Sequence, residues 1–71
     1  MTEKQREVLA QQSISGVCVR GVWTWLANGR PVTRQAKALV KLGYMHAAYY
    51  RGGQGAMDIT EAGRAALQEA A

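Results

Sequence analysis

The stretch from Pro31 to Gly43 constrains the fold of this chain more than any other. Its apolar residues recur three or four positions apart, which is the spacing of one buried helix face. These residues are Val32, Ala36, Leu39 and Val40, with Leu42 near the end. The opposite face carries Arg34, Lys37 and Lys41, which would stack along one ridge. Gly43 is a natural stop, because the residue after a helix often adopts positive φ. We therefore predict a short amphipathic helix with a basic outer face.

The distribution of charge predicts a polyanionic partner. The net charge is +4, and the sequence pI is about 9.7. No acidic residue falls between Val8 and Met57, although this interval holds six basic residues: Arg20, Arg30, Arg34, Lys37, Lys41 and Arg51. Such segregation produces an uncompensated positive field, which a polyanion explains better than a face kept charged for solubility.

Composition argues against several other classes of protein. Hydrophobic residues make up 48% of the chain, enough for one modest core, so we expect one domain over 1–71. No apolar run approaches the ~18 residues of a membrane span, and we expect a cytoplasmic protein without membrane or small-molecule partners. One histidine, one cysteine and no phosphate-binding loop argue against an enzyme, a metal site or a cofactor.

The amino-terminal residues predict a helix followed by a loop. Thr2 and Gln5 have the spacing of a capping box, in which each side chain bonds the other residue's backbone amide. We expect the helix to run to Gln11 or Gln12. For the next residues, 13–16, we predict a loop.

The stretch that follows allows two interpretations. Val17–Val19 would be a brief strand or the opening of the next helix. For Gly21–Ala27 we predict a short second helix, because Val22 and Leu26 are four residues apart. A strand over 17–26 stays open, since aromatic and β-branched residues have poor helix propensity. The two tryptophans of this stretch would fill the core, with base stacking by one of them as the alternative.

A turn over 28–31 would join the second helix to the third. Asn-Gly tolerates left-handed backbone, and proline is accepted in the first turn of a helix. Either Asn28 or Thr33 would cap the third helix. Two helices meeting across a tight turn form a helix-turn-helix.

The carboxy-terminal part predicts a β-hairpin and a last helix. After Gly43 the apolar period changes from that of a helix to that of a strand, so we expect a hairpin over 44–60 with a glycine-rich tip. Thr60 would cap the last helix. Gly63 inside that helix is unfavourable by about 1 kcal/mol relative to alanine, which suggests close contact with a neighbouring backbone.

Two stretches resemble a known family. Residues 36–44 form a leucine-rich run that closes with Leu-Gly and an apolar residue. This run is similar to the end of the recognition helix in the winged helix-turn-helix DNA-binding domains of prokaryotes and their viruses. Residues 58–67 resemble that family's passage from wing to last helix, with Thr-Glu-x-Gly-Arg followed by Ala-Leu. The resemblance implies an α+β fold, a small winged helix-turn-helix with a three-helix core, a C-terminal β-hairpin wing and a final helix.

The resemblance also implies sequence-specific binding of double-stranded DNA by a small transcriptional regulator. Residues 31–43 would be the recognition helix and 44–60 the wing. Arg34 would read guanine and Gln35 adenine. Thr33 would contact a base or a phosphate, and Arg51 a phosphate or the minor groove. Arg30, Lys37 and Lys41 would contact phosphates. The expected DNA-binding residues are Arg30, Thr33, Arg34, Gln35, Lys37, Lys41, Arg51, Gly52 and Gly53. We expect a homodimer or a second protein to complete the specificity. The alternative is a winged-helix protein-interaction module, an adaptor or a phage-encoded inhibitor of a host protein, that does not read DNA.

Overall fold

A computed structural model describes residues 1–70 of the chain. The strands form one antiparallel sheet in the order β3-β2-β1-β5-β4. The elements are α1 Glu3–Ala10, β1 Ser13–Val19, β2 Val22–Ala27, β3 Arg30–Pro31, α2 Thr33–Lys41, β4 Met45–Tyr50, β5 Gln54–Ile59 and α3 Glu61–Ala70. Within residues 1–70, no helix is both long and apolar enough to cross a membrane.

The core lies between the helices and one face of the sheet. α2 follows β3 at one edge and precedes β4 at the other, so it crosses that face. Ala66 and Leu67 of α3 pack against the same core. The fully buried members come equally from helices and strands: Val8, Leu9, Ala36 and Leu39, with Ile14, Trp25, Met45 and Met57.

The second face of the sheet carries no helix from the described residues. Side chains alternate between the faces of a strand, and directly paired residues share a face. The pairs Ser15↔Leu26 and Val17↔Gln54 therefore belong to this second face, which we call the helix-free face. Its exposed large apolar side chains are Val17, Val19, Val22 and Tyr50.

The predicted helix-turn-helix is wrong. Residues 21–27, predicted as a second helix, lie in a turn and strand β2, and residues 13–16, predicted as a loop, begin β1. These strands pair with each other and with β5 at the centre of the sheet. Over residues 1–70 the chain is therefore a small α+β fold with three helices and a five-stranded antiparallel sheet. It does not have a three-helix core with a C-terminal wing.

The packing of Trp25 explains why this segment is a strand. The side chain is 1% exposed and lies over Gly16 of β1, where an added Cβ would come within 2.5 Å of its ring. It also reaches Gly55 of β5, where an added Cβ would lie 3.2 Å from the ring. The glycines at these positions of β1 and β5 leave room for the indole. Burying the large apolar surface of the indole favours a strand over a local helix.

Two tight turns connect β1 to β2 and β2 to β3. Arg20 and Gly21 have φ of 54° and 80°, and Asn28 and Gly29 have 53° and 76°. Positive φ at both central residues is the type I′ arrangement, whose twist matches a hairpin. Val32, and neither of the predicted caps, is the N-cap of α2.

Other predictions are confirmed. Thr2 and Gln5 form the capping box of α1. Gly43 follows α2 with φ of 82°, and β4 and β5 form the hairpin predicted over 44–60. The Thr60 hydroxyl accepts a hydrogen bond from the Gly63 amide at 3.1 Å. An added Cβ at Gly63 would overlap the carbonyl oxygen at the start of the hairpin, so the close backbone contact exists.

Candidate nucleic-acid interface

The two long hairpins bring their turns together at one end of the sheet. The pair Val19↔Val22 closes the β1–β2 turn, and the pair Tyr50↔Gln54 closes the β4–β5 loop. The loop packs on β1, because the Cys18 amide donates to the Gly53 carbonyl at 2.6 Å. We call this side of the molecule the hairpin end. Each of the two turns carries one exposed arginine, Arg20 in the first and Arg51 in the second.

A groove opens beside the hairpin end, between α2 and the helix-bearing face of the sheet. It has a volume of about 460 Å³. We call it the aromatic groove, because Trp23, Trp25 and Tyr49 are among its walls. The helix contributes Lys37 and Val40. The remaining lining residues are Gly21, Val22, Ala47 and Met57.

The three aromatic rings of the groove form one cluster. Trp23 and Trp25 are nearly parallel, at 16° with ring centroids 5.7 Å apart. Tyr49 stands edge-on to both, at 68° and 4.9 Å from Trp23 and at 66° and 6.0 Å from Trp25. Trp25 is buried, Trp23 is half-buried and Tyr49 is 62% exposed. The cluster therefore has the buried ring of Trp25 at its base and the exposed ring of Tyr49 at its side.

The exposed side of α2 carries the predicted basic residues. Arg34, Lys37 and Lys41 are all exposed, whereas the underside of the helix is fully buried. We call these three residues the cationic ridge. Lys37 borders the aromatic groove, while Arg34 and Gln35 border a shallow depression shared with the start of α1. The ridge therefore runs between the two depressions.

The other predicted binding residues do not all converge on the ridge. Arg51 and its two following glycines are at the hairpin end. Arg30 is on β3, which pairs with the far end of β2, so it lies away from the hairpin end. The Thr33 hydroxyl accepts a hydrogen bond from the part-buried Trp25 amide at 3.0 Å, so its oxygen is engaged in holding α2 to β2. Gln35 is half-buried.

Three residues of this surface were absent from the predicted set. Arg20 becomes a neighbour of the β4–β5 loop only because β1 pairs with β5. Trp23 and Tyr49 meet across strands that are distant in sequence. The alternation of Trp23 and Trp25 with smaller residues was a signal for a strand that turns both rings to one face.

No acidic group of the described residues lines the aromatic groove or lies at the hairpin end, although Glu3 borders the depression beside Arg34. Glu3 and Glu7 belong to α1, and Glu61 and Glu69 to α3. Asp58 pairs with Ser13 at the end of the sheet opposite the hairpin end. The aromatic groove and the hairpin end thus carry positive charge alone. Comparisons of the chain with protein-family models, with curated proteins and with solved structures give no match.

Proposed function

We propose that the protein binds double-stranded DNA through the cationic ridge of α2, as a small DNA-binding regulator. The observation that carries the proposal is the exposure of all three ridge side chains on a helix whose underside, Ala36 and Leu39, is fully buried. A helix held in this way presents its charges at fixed positions. An ordered row of cations on one helix suits a regular polyanion.

The dimensions of the ridge support a DNA strand as the partner. Arg34 and Lys41 are seven residues apart, which is about 10 Å of helix axis. One strand of duplex DNA presents about three phosphates over that axial length. Arg20 and Arg51 at the hairpin end would add two further phosphate contacts. Arg34 is the ridge residue with the bidentate geometry needed to read guanine.

The experiment is a titration of a short labelled duplex followed by fluorescence anisotropy between about 50 and 200 mM salt. With all five cations on phosphates, the log–log slope of affinity against salt is expected near −4.5, at about −0.9 per phosphate, and with Arg34 on guanine it is expected near −3.6. Lys37→Ala and Lys41→Ala should each weaken binding and reduce the magnitude of the slope by about one.

Matched controls separate the ridge from general charge. Arg64→Ala and Arg64→Gln each remove one positive charge from an exposed position of α3, as Arg34→Ala does on α2. The control variants should bind like the parent. Equal losses in the ridge and control variants would overturn the assignment to α2, and a parent that binds no duplex at low salt would overturn the function.

A protein-interaction module is the second candidate, and the helix-free face favours it. Val19 and Val22 are a directly opposed pair, 62% and 64% exposed, and Val17 on the same face is 38% exposed. Contiguous exposed apolar residues mark protein-binding surfaces more often than scattered ones do. Val19→Ser leaves duplex affinity intact if the DNA proposal holds, because Val19 lies on the helix-free face, does not line the aromatic groove, and is replaced without a change of charge. Gel filtration of the parent tests the expected homodimer.

A further inference from the structure

We infer that the aromatic groove binds an unpaired nucleobase, so that the protein holds a single-stranded segment beside the ridge. The inference rests on the proposed function in one respect, since both place a nucleic acid on this surface. It goes further by naming a base, rather than only phosphates, as the ligand of the groove.

The rings of the groove are arranged for stacking. Trp25 is buried as a floor, and Trp23 is held by Trp25 on one side and by Tyr49 on another. These contacts fix the indole before any ligand arrives, so little side-chain freedom is lost on binding. Tyr49, which is 62% exposed, supplies an accessible ring face. Aromatic faces of this kind stack on every base, because each base has a π surface.

The charges around the groove select the ligand. Aromatic clusters also bind cations, but a cation would meet Lys37 on the groove wall and the arginines of both hairpin turns. An apolar peptide gains nothing from these charges. A single-stranded nucleic acid combines a flat base for the rings with phosphates for the cations, which matches both features.

The size of the groove fits a single unstacked nucleotide of a single-stranded nucleic acid. Its volume of about 460 Å³ falls within the range of roughly 300 to 1,000 Å³ typical of small-ligand sites. Bases inside an intact duplex are stacked on both sides and cannot enter. The preferred ligand is therefore a single strand, or a duplex with an unpaired base.

Intrinsic tryptophan fluorescence tests this directly. The chain has two tryptophans, and both line the groove. A base stacked there should quench their emission. We would titrate the protein with a thymidine oligonucleotide of about ten residues, which is within the usual site size of single-strand-binding domains. An abasic phosphodiester of the same length, with the same charge, is the matched ligand control and should bind without quenching.

Two neighbouring tyrosines provide the matched variants. Tyr49 lines the groove, whereas Tyr50 is equally exposed, at 59%, on the helix-free face. Tyr49→Ala should weaken binding of the thymidine oligonucleotide about ten-fold, while Tyr50→Ala should leave it unchanged. Tyr49→Phe should bind like the parent, because stacking needs the ring and not the hydroxyl. Tyr49→Ala should also leave duplex affinity unchanged.

The outcomes separate this inference from the proposed function. Quenching by the thymidine oligonucleotide supports it when about ten-fold more oligonucleotide is needed for Tyr49→Ala but not for Tyr50→Ala. Salt-dependent duplex binding without quenching by the single strand overturns this inference and leaves the proposed function standing. Equal quenching by the abasic control, or equal losses in both tyrosine variants, overturns it as well. Quenching by a proline-rich peptide and not by the oligonucleotide would assign the groove to an extended peptide and overturn it too.

Discussion

Replacing Gly63 by alanine is the sharpest test of how the last helix packs. Helix propensity alone would make Gly63→Ala stabilising by about 1 kcal/mol. The structure opposes this, because an added Cβ would overlap the Tyr44 carbonyl oxygen and lie 2.8 Å from Ile59 Cγ1. The carbonyl is constrained by its own hydrogen bond. The Tyr44 carbonyl accepts a hydrogen bond from the Thr60 amide at 3.0 Å, so it cannot move away without weakening that bond.

The expected net effect follows from these opposing contributions. Forcing an extra methyl group into a packed site costs about 1–3 kcal/mol, and loss of the Tyr44 bond adds about 1 kcal/mol. After the propensity gain, Gly63→Ala should lower the free energy of unfolding by about 2 kcal/mol, or the melting temperature by roughly 10 °C.

Urea unfolding followed by tryptophan fluorescence measures the effect of this substitution. Ala65→Gly is the matched control, because Ala65 is exposed on the same helix. It should lower the free energy of unfolding by about 1 kcal/mol through propensity alone. A Gly63→Ala variant as stable as the parent, or more stable, would refute the close approach of α3 to the start of the hairpin.

Three further substitutions test the contacts that shape the site. Thr60→Ala should lower the free energy of unfolding by about 1–2 kcal/mol. The reason is that the Thr60 hydroxyl caps α3 and donates to the Gly43 carbonyl at 2.7 Å. In urea unfolding, Thr60→Ser should keep most of the parent's stability. Thr33→Val should cost about 1–3 kcal/mol by leaving the part-buried Trp25 amide without its acceptor, and a Thr33→Ser variant no more stable than Thr33→Val would contradict this. Gly16→Ala should lower the unfolding midpoint and alter the near-UV circular dichroism, since its Cβ would press on the Trp25 ring; parent-like values would exclude that contact.

The Asn28-Gly29 pair shows how a correct local prediction led to a wrong topology. The sequence predicts a turn there, and the structure has one. Asn-Gly between alternating apolar residues is a strong signal for a type I′ hairpin. The prediction instead joined two helices across it. The alternation of Trp23, Trp25 and Ala27 toward the core was the evidence that would have favoured the hairpin.

The candidate site was predictable only in part. The cationic ridge of α2 follows from the spacing of its residues, because a helix converts separations of three and four into one face. The neighbourhood of Arg20 and Arg51, and the meeting of Trp23 with Tyr49, depend on which strands pair. Strand pairing joins residues that are distant along the chain, and local periodicity carries no information about it.

The sequence by itself determined the features that depend on short-range chemistry. These are the capping box at Thr2, the cap at Thr60, the amphipathic α2, its stop at Gly43 and the hairpin over 44–60. The tertiary structure alone decided the state of residues 17–27, because their local preferences are balanced between helix and strand. Burying Trp25 over two glycines of neighbouring strands resolves that balance, and the same packing creates the aromatic groove.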